Sequence, residues 1–228
     1  MKQLWKVAVS SLALFSLGGL LFTWACGSSS NSARLLNALP GESQLNASIE
    51  ETTIGTSVAY GTASSYTSVN SFGSSTLKVS TPGSTNLLIN GSISLSPNNY
   101  YTILVSKDSS AVNAWVLTDN HTKPSSGNVS IRVVDASPSL GTADVYILTP
   151  GTSLSNAKAT VGSLNFASGS SYQTLAAGSY EIYFTKPGQK TASIDSGPLA
   201  FNAQEVRTVV GLDGQSGGYT TAVLSDLN

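Results

Sequence analysis

The chain has 228 residues and a formal net charge of -1, and only 10% of its residues are charged. This composition excludes the basic surface that attracts nucleic acid or anionic lipid. Hydrophobic residues make up 40% of the chain, enough apolar area to support a folded core. The single cysteine, Cys26, excludes an internal disulfide and a metal site built from several thiolates. We therefore expect a folded, strand-rich, extracytoplasmic protein.

The first 25 residues have the pattern of an export signal. Lys2 and Lys6 form a short positive start, and residues 7–22 are apolar apart from small residues. The segment ends in Thr23-Trp24-Ala25-Cys26, which is similar to the lipobox of bacterial lipoproteins, with Thr23 where leucine is commonest and Trp24 where a small residue is usual.

The lipobox resemblance implies that the signal is cut before Cys26 and that this cysteine receives a lipid such as palmitate. Gly27, next in the chain, favours the outer membrane or cell surface by the same resemblance. Residues 26–32 then form a flexible tether of small polar residues. Two alternatives are an uncleaved membrane anchor, because residues 4–25 are long enough to span a bilayer, and an ordinary secretory signal with an incidental cysteine.

Beyond residue 33, short runs rich in Val, Ile, Leu, Thr and Tyr alternate with clusters of Gly, Pro, Asn and Ser, which predicts strands. The predicted strands are 33–38, 46–50, 56–60, 66–69, 76–81, 86–95, 100–106 and 114–118, then 129–136, 143–148, 158–166, 172–175, 179–185, 192–201, 205–212 and 220–225. No segment has a sustained helical period, so we expect no long helix in the mature chain. A polar loop at 121–128 is predicted to link a domain over 33–120 to a domain over 129–228.

The two halves repeat each other in sequence. Residues 60–66 match 166–172, and residues 117–119 match 224–226. The first strand and turn also repeat, and we interpret the matched pairs as structural: Arg34 with Arg132, Asn37 with Asp135, and Pro40 with Pro138. Each half has the size of an antiparallel β-sandwich.

The second half also contains Ala143-Asp144-Val145-Tyr146 and Gly178-Ser179-Tyr180, in that order after 132–138. This set resembles the family catalogued as domain of unknown function 4397, firmly in the second half and loosely in the first, where Asn46-Ala47-Ser48 replaces the Asp-Val-Tyr strand. The resemblance implies tandem β-sandwich domains on exported, often lipid-anchored bacterial proteins, and it implies no activity. The predicted fold is all-β, with two tandem antiparallel β-sandwich domains, Ig-like or transthyretin-like, after the signal segment.

Few residues offer catalytic chemistry. His121 is the only histidine and lies in the predicted linker without a cluster of metal ligands, so we predict a solvated loop residue. Glu50 and Glu51 are neighbours on a strand and point to opposite faces, which does not suit a glycosidase pair. The aspartates, including Asp135 and Asp226, are predicted to cap turns or lie at solvated strand ends. We predict no catalytic residue, no metal and no cofactor.

Arg34 and Arg132 allow two interpretations. Either could anchor a carboxylate or a sugar, or each could pair with a nearby acid, such as Asp135 or Asp144, and fix the first strand and its turn. We favour the second interpretation because both arginines belong to the repeated scaffold.

Most aromatic residues at repeat positions are predicted to lie in the core. Four others are less constrained and are candidate ligand contacts: Tyr100, Trp115, Tyr183 and Tyr219. The sequence thus predicts a non-catalytic lipoprotein of the cell envelope, held to the membrane through Cys26, that acts as an interaction or structural module. The alternative is a carbohydrate-binding surface protein for glycan or peptidoglycan, and a third reading is an envelope hydrolase.

Overall fold

The computed structural model describes residues 30–108 and 111–227. Cys26 and the signal lie outside the described residues, so the lipidation and cleavage hypotheses remain predictions. The first strand begins at Asn31, two residues before its predicted start, because the Asn31 side-chain amide donates to the Ser71 carbonyl at 2.8 Å and is buried.

The first half forms two four-stranded sheets. Its strands are β1 (Asn31–Asn37), β2 (Gln44–Ile49), β3 (Thr52–Ala59), β4 (Thr67–Val69), β5 (Gly73–Ser80), β6 (Leu87–Leu95), β7 (Tyr100–Lys107) and β8 (Val112–Asp119). One sheet, which we call inner sheet 1, has the order β4-β1-β7-β8, and outer sheet 1 has the order β3-β2-β5-β6.

The second half repeats this plan. Its strands are β9 (Asn128–Asp135), β10 (Ala143–Leu148), β11 (Val161–Leu164), β12 (Ser168–Gly169), β13 (Gln173–Ala176), β14 (Gly178–Thr185), β15 (Ala192–Phe201), β16 (Val206–Asp213) and β17 (Tyr219–Ser225). Inner sheet 2 has the order β12-β9-β16-β17, with β13 also on β9, and outer sheet 2 has the order β11-β10-β14-β15.

This architecture confirms the all-β, two-sandwich prediction. One pair in each inner sheet is parallel, β1 with β7 and β9 with β16, a feature that the sequence did not predict. The only helical turn in the described part of the chain is the 3-10 helix Leu154–Asn156. Those residues include no helix that is long and apolar enough to cross a membrane.

Each half has its own hydrophobic core between its two sheets. On β1, alternation sends Ala33 and Leu35 into the first core, where they meet Leu45, Leu77 and Ile103. The second core contains Val133, Val145, Ile182, Phe184 and Val209 in corresponding places. Each sandwich is thus closed without a disulfide.

A third core joins the halves. The opposite face of β1 turns Leu36 away from the first core, and β9 does the same with Val134. These residues pack with Leu104, Val210 and Leu212 into one buried cluster between the two inner sheets. The inner sheets therefore lie face to face, and the outer sheets lie on the far sides.

Candidate functional site

A cluster of buried charges lies at the joint, the contact between the two inner sheets. Four charged side chains there are at most 7% exposed, namely Arg34, Arg132, Asp119 and Asp226. Arg34 is on β1 and Arg132 is at the equivalent position of β9. The two aspartates stand at the ends of the edge strands β8 and β17. Strand alternation places all four on the faces that meet between the halves.

Arg34 binds the end of β17 in the other half. Its Nη2 donates to Asp226 Oδ1, and its Nη1 donates to the Ser225 carbonyl at 2.6 Å. Its Nε donates to Thr102 Oγ1 at 2.9 Å within its own sheet. The guanidinium therefore connects β1, β7 and β17.

Arg132, in the second half, makes the equivalent contacts with the end of β8 in the first half. Its Nη2 donates to Asp119 Oδ1, and its Nη1 donates to the Thr118 carbonyl at 2.9 Å. Its Nε donates to Thr208 Oγ1 at 3.0 Å. Each half thus contributes an arginine that binds an aspartate of the other half. Such reciprocal contacts are the pattern of a twofold interface.

Two tyrosines complete the network. Tyr66 donates to Asp119 Oδ2 at 2.7 Å, and Tyr172 donates to Asp226 Oδ2 at 2.9 Å. The Arg34 guanidinium lies 4.4 Å from the centre of the Tyr66 ring, and Arg132 lies 4.8 Å from that of Tyr172. Burial raises the pKa of both tyrosine hydroxyls above the ordinary value, Asp119 raises that of Tyr66 further, and Arg132 partly opposes the effect at Tyr172.

The predicted partners of the arginines were wrong. Asp135 lies three residues from Arg132 on a strand, so the two side chains point to opposite faces. Asp144 lies in outer sheet 2, where its carboxylate accepts from the backbone N–H groups of Ser163 and Gly188, each at 2.8 Å. These two N–H groups lower the pKa of Asp144. Asp226, predicted as a solvated strand end, is instead buried in the joint.

His121 is also not the solvated residue that we predicted. Its ring stacks on Tyr100 with centroids 3.8 Å apart, and the Tyr66 ring meets it edge-on at 6.1 Å. Its Nδ1 lies 2.7 Å from the Asp226 carbonyl oxygen, which can only accept, so Nδ1 donates. His121 thus holds the linker against the end of β17.

The turn residues Asn37 and Asp135 have different surroundings. The Asn37 amide nitrogen donates to the Val58 carbonyl at 3.0 Å, while its oxygen accepts from Leu39. Asp135 Oδ1 accepts from the Ser137 N–H at 2.9 Å, which is the predicted turn cap, but Oδ2 is buried without a hydrogen-bond partner in the part of the chain that the structure describes. Burial raises the pKa of Asp135 to about 7, although the Ser137 N–H lowers it in part. Pro40 and Pro138 stand in the turns that follow these residues.

Of the four candidate ligand contacts, the structure brings none together. Tyr100 packs on His121, and Trp115 packs edge-on against Phe166 at 5.3 Å beside the third core. Tyr183 is half-buried and donates to Glu181 Oε2 at 2.5 Å, and Tyr219 is 37% exposed. A ligand role for these residues remains a prediction.

Two of the cavities on the surface, neither of which the sequence indicated, have polar side chains in their walls. One, of about 400 Å³, lies between the halves and is lined by Arg34 with residues 61–66 and 221–225. The other, of about 280 Å³, lies on outer sheet 1 among Asn46, Ser48 and Lys78. No group of three or more His, Cys, Asp or Glu residues that could hold a metal ion occurs within residues 30–108 and 111–227.

Comparison with known proteins identifies a family and several distant structures, two of which are described below. A family model described as domain of unknown function DUF4397 matches residues 32–146, which cover the first half, β9 and most of β10. The match thus confirms the family, but it lies mainly in the first half, where the sequence showed only a loose resemblance. No curated protein matches the chain.

Both structures are of carbohydrate-binding modules. A family CBM26 module, CBMbc of Eubacterium rectale Amy13K, solved with maltoheptaose, shares 12% identity at a TM-score of 0.28, covering 86% of this chain and 96% of its own. A family 41 module from streptococcal virulence factors shares 12% identity at a TM-score of 0.27, covering 84% of this chain and 96% of its own. Likeness at these scores supports no inference about the ligand.

Proposed function

This chain belongs to the DUF4397 family, and we propose that it acts as a non-catalytic interaction module of the cell envelope. In this proposal two β-sandwiches work as one rigid body that presents its outer sheets and strand edges to a partner. A lipid on Cys26 holds this body at the membrane.

The observation that supports the proposal is the reciprocal pairing of Arg34 with Asp226 and of Arg132 with Asp119. Arg34 and Arg132 are the side chains that could have anchored a carboxylate or a sugar. Each carboxylate instead accepts from an arginine, a tyrosine and a threonine of the joint. Buried charges whose bonding capacity is satisfied internally stabilise one arrangement and offer little to a ligand.

The start of β1 limits how far the first half can lie from a lipid on Cys26. Four residues lie between Cys26 and Asn31, where the first described strand begins, and the five steps from Cys26 to Asn31 span at most about 18 Å. A lipid on Cys26 would therefore hold the first half close to the membrane. Incorporation of labelled palmitate tests this part: we expect it in the full chain and not in a Cys26→Ala variant, and incorporation that persists in the variant would contradict the anchor.

Site-specific photo-crosslinking in intact cells tests the interaction role. Exposed apolar side chains mark three separate surfaces, with Phe72 at 43% exposure, Leu87 at 45% and Val223 at 44%. A benzophenone amino acid at each position is expected to give a discrete crosslinked product from at least one surface. Glu51, an exposed residue at a hairpin tip, provides the matched control position.

The outcomes separate the alternatives. Products that are the same from all four positions would show only random neighbours, and the absence of any product from the three apolar positions would reject the interaction role. A crosslink confined to one surface would identify where the partner binds.

Glycan binding is the second candidate, because Tyr219 is exposed and Tyr183 lies on the outer face of outer sheet 2. Aromatic faces of this kind can stack on sugar rings. A glycan and peptidoglycan binding assay distinguishes the two candidates, since saturable binding that is lost in a Tyr183→Ala/Tyr219→Ala double variant would favour the glycan.

A further inference from the structure

The symmetry of the joint is broken at one position. In inner sheet 1, strand pairing places Leu36, Leu104 and Trp115 side by side on β1, β7 and β8. In inner sheet 2 the equivalent row is Val134, Val210 and Ala222, on β9, β16 and β17. Ala222 therefore occupies the place that corresponds to Trp115.

A cavity lies beside the small side chain of Ala222. The Trp115 indole packs against Phe166 of the other half and fills the space between β8 and the loop that begins there. Beside Ala222, the equivalent space is the cavity of about 400 Å³, lined by residues 61–66 and 221–225. Tyr60, the counterpart of Phe166, does not fill it, because the Tyr60 hydroxyl donates to the Asp213 carbonyl at 2.6 Å.

The cavity also exposes the backbone of a strand edge. β17 is the last strand of inner sheet 2, and backbone groups along an antiparallel strand alternate between its two sides. The Asp226 N–H donates to Val206 at the start of β16, whereas the Ser225 carbonyl accepts from Arg34 on the other side. By this alternation Val223 and Thr221 also turn their N–H and C=O groups away from β16 and toward the cavity.

Nothing in β17 discourages pairing. Proteins usually protect an edge strand with charges, proline or a bulge, and Tyr219–Ser225 contains neither a charged residue nor proline. Its pairing with β16 runs without a register shift from Tyr219 to Ser225. Arg34, which lines the cavity, is neutralised by Asp226, so the site favours an uncharged occupant.

We propose that the edge of β17 binds an extended, uncharged peptide segment of a protein partner by strand addition, with an aromatic side chain of that segment in the cavity beside Ala222. Backbone hydrogen bonds to Thr221 and Val223 supply the pairing, and the cavity selects the ring. Trp115 shows that the same arrangement of sheet and loop accommodates an indole. This inference rests on the proposed interaction role and names its partner by chemical class.

A peptide fits this site better than a sugar does. The aromatic ring in the cavity wall is that of Tyr66, and Arg34 covers one face of it at 4.4 Å while Tyr100 meets it edge-on at 5.4 Å. That ring is not free to stack on a pyranose. The unpaired backbone groups, in contrast, are spaced as a strand requires.

The test uses the full chain and a synthetic peptide, Thr-Val-Thr-Trp-Thr-Val-Thr, measured by isothermal titration calorimetry and by amide chemical-shift changes. We expect binding with the largest shifts at Thr221 and Val223. Ala222→Trp fills the cavity and should weaken binding by at least about tenfold, while Trp115→Ala, the matched change on the other side of the joint, should leave binding at β17 unchanged. Replacing the peptide tryptophan by alanine, or methylating the alternate backbone nitrogens that face β17, should each weaken binding to a similar extent.

Several results would overturn the proposal. Among them are no binding of the parent peptide, equal binding of the N-methylated peptide, or unchanged binding to Ala222→Trp with a native amide spectrum. Saturable binding of maltoheptaose with shifts at Thr221 and Val223 would assign the cavity to a glycan instead. Failure here together with a crosslink from Phe72 or Leu87 would leave the interaction role intact and reject only this site.

Discussion

The joint and the edge of β17 are both formed by the repeated strands. The two halves have equivalent residues at the joint, but they have different residues at the strand edge. At the joint, Arg34 and Arg132 have equivalent partners, and each bonds to the aspartate of the other half. At the strand edges, Ala222 occupies the position equivalent to Trp115, and a cavity lies beside it. The positions that agree hold the halves together, and the positions that differ leave one half with a binding surface.

The same comparison separates two kinds of turn. Asn37 satisfies its amide with backbone groups, while Asp135 leaves one carboxylate oxygen buried and unpaired among the described residues. A substitution that makes the two halves more alike, or less alike, therefore has an expected direction of effect on stability or on peptide binding at the joint, at the strand edges and at these turns.

The largest effect is expected from breaking the joint. Removing one member of a buried ion pair leaves the other charge uncompensated, so Arg34→Met should lower the free energy of unfolding by about 3–5 kcal/mol. Because the contacts are reciprocal, Arg132→Met should cost a similar amount. Urea denaturation followed by circular dichroism measures both.

A double variant provides the control for this prediction. Arg34→Met combined with Asp226→Asn removes both charges of one pair, and it should cost less than the sum of the two single changes. Additive losses would show that Arg34 and Asp226 do not stabilise each other. A loss confined to Arg132→Met would show that the two halves of the joint are not energetically equivalent.

A smaller, pH-dependent effect is expected at Asp135. Its pKa in the folded protein is raised to about 7 from the ordinary 3.8, so the folded state binds the proton more tightly than the unfolded state. The stability from this proton is fully present below the ordinary pKa and is lost as the pH rises toward about 7, with a slope of at most about 1.4 kcal/mol per pH unit. Asp135→Asn should remove that slope and be more stable than the parent at pH 8.

The first half supplies the matched variant. Asn37→Asp places a carboxylate where an amide donates to the Val58 carbonyl, so it should create a similar loss of stability with rising pH. Urea unfolding at pH 5, 6, 7 and 8 compares the four proteins made by combining the two changes. Parallel curves for Asp135→Asn and the parent would show that Asp135 is not protonated in the folded state.

Much of the fold could be predicted from the sequence. The short runs of strand-forming residues between Gly, Pro, Asn and Ser clusters predicted 192–201 and 143–148 with the bounds that β15 and β10 have. The match between residues 117–119 and 224–226 correctly identified Asp119 and Asp226 as equivalent positions of the two halves. It would also have signalled the buried aspartates, because two repeated acids in the same relation to two repeated arginines suggest a shared role.

The rest could not be predicted because it depends on contacts between distant parts of the chain. Arg34 and Asp226 are 192 residues apart, and only the packing of the inner sheets brings them together. The parallel pairing of β1 with β7 has no local signal either, since a strand pattern indicates a buried face and not the neighbour beside it. The cavity beside Ala222 exists because this side chain is small. No sequence motif indicates such a position.

The smallest effect is expected at Tyr60, where one hydroxyl distinguishes the halves. Tyr60→Phe removes the hydrogen bond to the Asp213 carbonyl and gives the first half the phenylalanine that Phe166 provides in the second, so the loss of stability should be about 1 kcal/mol. The freed ring can then turn toward Ala222, as Phe166 packs on Trp115, and should weaken binding of the tryptophan peptide more than it weakens the fold. Calorimetric titration beside urea unfolding separates the two effects, and Phe166→Tyr is the control because Trp115 already fills its side. Unchanged peptide affinity in Tyr60→Phe would mean that the hydroxyl is not what keeps the cavity open, and that the small side chain of Ala222 is sufficient by itself.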